Sequence, residues 1–226
     1  MNILISTIKS WNIDNFYRLK SKYPDINWFL VDKKEDLNIE KIKEIDPKYI
    51  FFPHWSWIVP EEIYDNYNAI LFHMTDLPFG RGGSPLQNLI IREIYQTKIS
   101  AIKMERELDS GDIYLQRDFD ISIGSAQEIF IRMSDIIFFE MIPNIIENNI
   151  VPVPQKGQII TFKRRSVNDS NLLKMEIFTI RKVYDFIRML DAEGYPKAFI
   201  NLDNLKIKFS EIHLKNNKLI GRFEIE

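Results

Sequence analysis

Short apolar runs separated by amphipathic stretches set the rhythm of the first two-thirds of the chain. "NILIST", "INWFLV", "YIFFP" and "AILFH" are of strand length and rich in β-branched or aromatic residues. Between them, "IDNFYRLKSKY", "NIEKIKEI" and "PEEIYDNY" show helical spacing or helix-start chemistry. Wholly apolar strands alternating with helices predict a parallel sheet covered on both faces, and therefore an α/β fold. Ligands of such sheets sit beyond the carboxyl ends of the strands. The loops to inspect are "STIKSWN", "FPHWSWIVP" and "FHMTDLPFGRGGSP".

Pro85 suits the first turn of the next helix, "PLQNLIIREIY", where a missing N–H costs nothing. "KISAIKM" then reads as a strand, "ERELDSGD" as a tight loop and "IYLQRDFDI" as another strand. Ser125 and Glu128 make a capping box for a long helix reaching about Asn149, which Pro143 is expected to kink or split. After "VPVPQKGQ" the texture changes. A strand-like "IITFKRR" leads through "SVNDSN" to a helical "TIRKVYDFIRMLDAE" and three short strands, "KAFINL", "LKIKFSEIHL" and "LIGRFEIE". Asn216 and Asn217 predict a hairpin between the last two. The expected division is a catalytic domain over 1–174 and a small β-rich unit over 175–226.

Composition narrows the classes. A chain of 226 residues that is 45% hydrophobic can bury a large core without covalent staples. It has no Cys, which excludes disulfides, thiolate metal ligands and Cys nucleophiles, and nothing else points to a metal. A formal charge of -2 exerts no global pull toward nucleic acid or anionic lipid, although "FKRRSVNDS" is a local basic candidate. "MNILIST" lacks the basic leader of a signal peptide, and "IIFFEMIPNIIENNI" is interrupted by Glu140 and Pro143. A soluble, cytoplasmic protein with no membrane partner is expected.

The candidate chemistry lies in the loops. His73 directly follows an apolar run, so it projects from a strand tip, where it could donate to an oxyanion or relay a proton. By itself it reads better as a structural histidine bonded to a tight turn, and only its surroundings bring the two readings level. Gly80, Gly82, Gly83 and two prolines around it mark a loop of unusual backbone dihedrals. Asp109 and Asp112 flank Gly111 in a strand-to-strand loop; a carboxylate there can orient an imidazole, although taken alone the pattern is better explained by an ordinary Asp-Gly turn. If "KISAIKM" lies beside "AILFH", Asp109 and His73 are expected to emerge at the same edge.

Taken together, "FHMTDLPFGRGGSPLQNLI" and "ISAIKMERELDSGDIY" resemble the N10-formyltetrahydrofolate-dependent formyltransferase family. The family pattern is Asn-x-His, a Leu-Pro-x-x-Arg-Gly loop, then Leu-Asp-x-Gly-Asp after a helix and strand. The resemblance runs from about residue 45 to 130, and "VYDFIRMLDAEGYPKAFI" is similar to the start of the barrel appended to several members. It implies a Rossmann-like sheet flanked by helices, with a small β-rich C-terminal unit. It also implies N-formylation of an amine with N10-formyltetrahydrofolate as co-substrate. His73 would stabilise the tetrahedral oxyanion, and Asp109 would orient His73 and help remove the amine proton.

One position departs from the pattern: Leu71 stands where the family has Asn. Loss of an oxyanion donor costs about a hundred- to a thousandfold in rate, and His54 is the nearest replacement. The folate pocket implied by the resemblance is bordered by Pro53, Trp55, Ser56, Trp57, Leu108 and Asp112. Alternation along "PHWSW" lets one Trp line that pocket while the other packs. Ser6, Lys9 and Trp11 on the first loop, with Arg81, Gly82, Gly83, Ser84 and Gln87 at a helix start, are the candidate substrate-binding set.

The Asn-less pattern is most similar to sugar N-formyltransferases of pseudaminic-acid biosynthesis. It implies a nucleotide-linked amino sugar as substrate, no nucleic-acid partner, and a homodimer. Two alternatives stand beside it. One is an enzyme acting on methionyl-tRNA, against which the near-neutral charge argues; the other is a folate- or nucleotide-binding module that has lost catalysis, which Leu71 motivates.

Overall fold

The computed structural model describes all of residues 1–226. Its chain groups into two compact units: residues 1–81, 98–119 and 131–161, and residues 82–97, 120–130 and 162–226. It is a mixed α/β structure with a central sheet flanked by helices and a small antiparallel C-terminal sheet.

In chain order the first strands are β1 (Asn2–Ser6), β2 (Asn27–Val31), β3 (Tyr49–Phe52), β4 (Ala69–His73), β5 (Phe79–Gly82), β6 (Gln96–Lys103) and β7 (Ile113–Asp120). All but β5 join the central sheet, in the order β2-β1-β3-β4-β6-β7. Strands β1 to β4 are parallel, linked by α1 (Ser10–Lys22), α2 (Ile39–Ile45) and α3 (Glu61–Asn66). Ile3, Leu4, Ile5, Ile50 and Phe51 are fully enclosed, as wholly apolar strands between helical layers should be. Local chemistry sets the ends of α2: Asn38 caps it by accepting from the Lys41 N–H at 2.9 Å, and Asp46 closes it with φ 45°.

The expectation of an all-parallel sheet needs correcting. β6 runs antiparallel to β4, pairing His73 with Ser100 and Ile70 with Lys103. Between these strands the chain makes β5, which reads as loop in the sequence, and α4 (Pro85–Ile91). β5 pairs with β8 (Ile160–Phe162) in a separate two-stranded sheet.

The capping box forms as expected: the Ser125 N–H donates to Glu128 Oε2 at 2.7 Å, and the Glu128 N–H to Ser125 Oγ at 3.3 Å. The helix then runs on through Pro143. α5 (Ala126–Ile136) passes into a wide π-turn over Ile137–Met141 and then into α6 (Ile142–Asn148). A proline clashes with the carbonyl four residues before it, and the wider turn falls where that clash would arise.

In the second unit, β9 (Ala198–Leu202), β10 (Leu205–Lys215) and β11 (Lys218–Ile225) form an antiparallel sheet beside α7 (Ile180–Arg188). Asn216 and Asn217 turn the hairpin with φ 49° and 57°, the left-handed pair required by a two-residue turn. A bulge lies between Ser210 and His213. By register, Ile200, Ile207, Phe209, Phe223 and Ile225 share one face, and Lys208, Lys215, Lys218, Ile220, Arg222 and Glu224 the other. Among all the helices, none is long and apolar enough to cross a membrane.

Candidate active site

His73 ends β4, and both His73 and Asp109 are 7% exposed. The Nδ1 of His73 lies 3.5 Å from Asp109 Oδ2, and its Nε2 lies 2.8 Å from the Gly80 carbonyl oxygen. A carbonyl only accepts, so Nε2 carries the proton and donates to Gly80. Nδ1 is the ring atom turned to the carboxylate. The structural reading of His73 and the chemical one thus both apply, at different nitrogens: one end of the ring braces the glycine-rich loop and the other meets Asp109.

The two residues do not meet in the way adjacency of the strands suggests. Because β6 is antiparallel, its end at Lys103 lies opposite Ile70, and the Met104 N–H donates to the Ala69 carbonyl at 2.8 Å. The loop after β6 therefore starts at the far end of β4 from His73. It has to double back. Ser110 Oγ donates to the Glu107 carbonyl at 2.8 Å, Asp109 takes φ 53°, and the reversal brings the carboxylate to the imidazole. Gly111 then passes so close to β6 that a Cβ would stand 1.9 Å from the Lys103 carbonyl oxygen, so no other residue fits there.

Polar groups also brace the other side of the glycine-rich loop. Ser100 Oγ donates to the Thr75 carbonyl at 2.6 Å and accepts from Gln116 Nε2 at 2.8 Å, which also reaches Asp76 Oδ1 at 3.2 Å. Lys98 pairs with Asp76 at 3.2 Å. Sequence reasoning singled out none of these residues, because each is a common polar residue on a strand or turn.

The register of Phe52 with Leu71 brings the end of β3 level with the end of β4, so the loop carrying His54 opens at the same edge as His73. Thr7 Oγ1 and Asn12 Nδ2 donate to the Pro53 carbonyl at 2.6 and 3.1 Å, which pins that loop to the first one. His54 follows in a left-handed conformation, φ 57°, its ring edge-on to Trp11 at 5.8 Å between centroids. Burial, with help from the Lys9 charge, pushes the pKa of His54 down to about 4, so near neutral pH it is an uncharged hydrogen-bonding ring. Trp55 packs on the apolar cluster that includes Phe52, and Leu71 packs on the same cluster. Side-chain packing thus occupies the position of the family's Asn. Trp57 is 38% exposed and stands edge-on to Trp55 at 5.0 Å, with Ser56 exposed beside it. Leu108, at the tip of the returning loop, is 67% exposed, and Asp112 is half-buried, its carbonyl accepting from the Lys103 N–H.

Ser6, Lys9, Trp11 and Arg81 of the candidate substrate-binding set belong to the first unit. Ser6 is fully buried at the end of β1. The Lys9 ammonium lies 5.5 Å from the Trp11 ring centroid. Trp11 is itself buried against His54, so it offers no open face for stacking a base. Arg81 Nε and Nη2 both donate to Gln155 Oε1, at 3.1 and 2.8 Å.

Gly82, Gly83, Ser84 and Gln87 belong to the second unit. Gly83 packs on Arg164 with no room for a Cβ, and Ser84 Oγ accepts from the Arg165 N–H at 3.1 Å. Gln87 is 3% exposed and donates to the Met189 carbonyl at 2.9 Å; it faces the interior, which corrects its expected place on a ligand-binding turn.

A glycine-rich loop braced by a histidine, and a carboxylate carried back to it by a Leu-Asp-Ser-Gly-Asp loop, define the class. The chain belongs to the formyltransferase family. A chain from Clostridium thermocellum described as methionyl-tRNA formyltransferase is 50% identical, superposes with a TM-score of 0.96, and is covered to 99% by all of this chain. The family model "Methionyl-tRNA formyltransferase, C-terminal domain" matches residues 167–226. The methionyl-tRNA formyltransferase of Campylobacter jejuni is 26% identical over 209 residues, covering 90% of this chain; the chain spans 66% of that relative's length. HypX from Aquifex aeolicus, solved in complex with tetrahydrofolic acid, shares the fold over 96% of this chain at 16% identity and a TM-score of 0.74. These likenesses overturn two expectations, an amino-sugar nucleotide as substrate and no nucleic-acid partner. The chain is similar over its whole length to a chain named for methionyl-tRNA.

Proposed function

We propose that the protein transfers the formyl group of N10-formyltetrahydrofolate to the amino group of methionyl-tRNA. The observation that carries this reading is the buried His73–Asp109 pair at 3.5 Å, framed by the two family loops. The amine nitrogen attacks the formyl carbon, a new C–N bond forms, and the carbon–N10 bond breaks as N10 takes up a proton. With its Nε2–H held by Gly80, His73 presents Nδ1 as the proton acceptor for the amine. Asp109 faces the charge that this creates, and the imidazolium lies beside the developing oxyanion. His54, neutral near pH 7 and on the neighbouring strand tip, is the further donor in place of the family's Asn. Exposed Trp57 and Leu108 offer apolar surface for a flat ring, on the two loops that would border the folate.

The 50% identity to a chain described as methionyl-tRNA formyltransferase supports the tRNA assignment. On one side of the C-terminal hairpin Lys215 pairs directly with Lys218, while Lys208 and Arg222 on the same side are ion-paired, Lys208 with Glu226 and Arg222 with Glu211 and Glu224. A net charge of -2 averages over the whole chain and does not exclude local cations such as the adjacent Lys215 and Lys218. The test is transfer from formyltetrahydrofolate to methionyl-tRNA. His73→Asn and Asp109→Asn should each lower kcat about a hundredfold or more, with the unfolding midpoint little changed in Asp109→Asn. Full activity in either variant rejects the assigned roles.

A further inference from the structure

Asp109 sits on a loop that has doubled back from the far end of β4, so sheet register does not hold it against His73. Something else must. We propose that Gln155 is the positioning residue that holds Asp109 in place. This inference rests on the formyl-transfer reading above for its kinetic consequence, but not for its structural one.

Gln155 lies in "VPVPQKGQ", which reads in the sequence as a connecting stretch. In the structure this stretch is a strap across both active loops. Val153 forms an antiparallel bridge to Ile113, with reciprocal backbone hydrogen bonds of 2.8 and 2.9 Å, next to the end of the returning loop. Two residues on, Gln155 Nε2 donates to the carbonyls of Asp109 and Gly111, each at 2.8 Å. Its Oε1 accepts both Nε and Nη2 of Arg81, on the glycine-rich loop. Further along, Gly157 lies against the Pro78 ring, and the Ile160 N–H donates to the Pro78 carbonyl at 3.3 Å.

The partners fix the orientation of the amide. Guanidinium only donates and carbonyls only accept, so the oxygen must face Arg81 and the nitrogen the returning loop. Both amide protons and both oxygen lone pairs are used. No other side chain of this length has two donors and a two-fold acceptor on one planar group. A carboxylate would keep Arg81 but set oxygen against two carbonyl oxygens, and an apolar isostere would lose both halves. The strap therefore ties the loop that His73 braces to the loop that carries Asp109, at a residue that bonds to each.

The test uses the full chain with Gln155→Met and Gln155→Glu. Displacing a reacting group by about 1 Å costs on the order of a hundredfold in rate. Both variants are expected to lose about ten- to a hundredfold in kcat, with KM for methionyl-tRNA changed less than about threefold. Retained Arg81 pairing should not rescue Gln155→Glu. A spectroscopic arm is independent of activity. There are three histidines, so 15N-histidine labelling resolves each ring. The His73 Nδ1 resonance should move in both variants while those of His54 and His213 stay in place. If either variant folds with wild-type kcat and an unmoved His73 signal, the proposal is overturned. Should the wild-type protein fail to formylate any amine, the functional reading falls, and the histidine spectrum still decides the role of Gln155.

Discussion

At the scale of single residues, His54 shows how a backbone constraint and an electrostatic one combine. It holds a left-handed conformation, stands edge-on to Trp11 and feels the charge of Lys9. Its pKa falls from 6.5 to about 4, mainly by burial and then by Lys9. Between those two values the unfolded chain binds a proton that the folded chain refuses. Stability should therefore decline as pH falls from about 6.5 to about 4 and level off below that. Above 6.5 the ring is neutral in both states and contributes no slope. His54→Asn, a residue that accepts positive φ, should flatten this part of the profile. Urea midpoints of both proteins across that range check it; identical slopes would mean that His54 does not carry the effect. His73 was legible in the sequence because it follows an apolar run and precedes clustered glycine and proline. Gln155 was not, since a glutamine between prolines and glycine has no periodic or motif context, and its role exists only through partners 44 and 74 positions away.

At the scale of elements, α7 is organised around a buried ion pair. Arg188 is 1% exposed; its Nε donates to Asp185 Oδ1 at 2.6 Å, and its Nη1 donates to the carbonyls of Ile121 and Gly124. Asp185 Oδ2 accepts from Arg181 at 2.8 Å and from the Tyr95 hydroxyl at 2.7 Å. Asp185→Ala would leave the Arg188 charge buried without its carboxylate, which typically costs about 3–5 kcal/mol. Chemical denaturation followed by circular dichroism should show a destabilisation of that order, and a change below about 1 kcal/mol would contradict it. Strands β1 to β4 and the Asn-Asn hairpin could be read from periodicity and turn chemistry, which are local. The antiparallel direction of β6 could not, because it depends on the path of the chain through β5 and α4. Pro143 was recognised as a disturbance, but its resolution as a π-turn depends on the carbonyls of the preceding turn.

At the scale of the whole molecule, the proposed partner is a polyanion bound by a protein of slightly negative net charge. Binding should then come from local cations and weaken linearly in log–log coordinates as salt rises. Replacing Lys215, Lys218 and Arg222 together with Ala should lower the magnitude of the salt slope by about one for each phosphate that these cations neutralise, while formyltetrahydrofolate binding stays unchanged. Filter binding of methionyl-tRNA over about 50–200 mM salt measures it. An unaltered slope would place the tRNA elsewhere. The sequence by itself determined the α/β class, most strand and helix positions, and the two loops that carry His73 and Asp109, because these follow from periodicity, turn chemistry and short motifs. Only the tertiary structure decided that the sheet is mixed, that Asp109 reaches His73 by a loop doubling back, and that Gln155 bonds to that loop and to Arg81 at once. Those outcomes depend on strand direction and on hydrogen bonds between residues far apart in the chain, which no local pattern encodes.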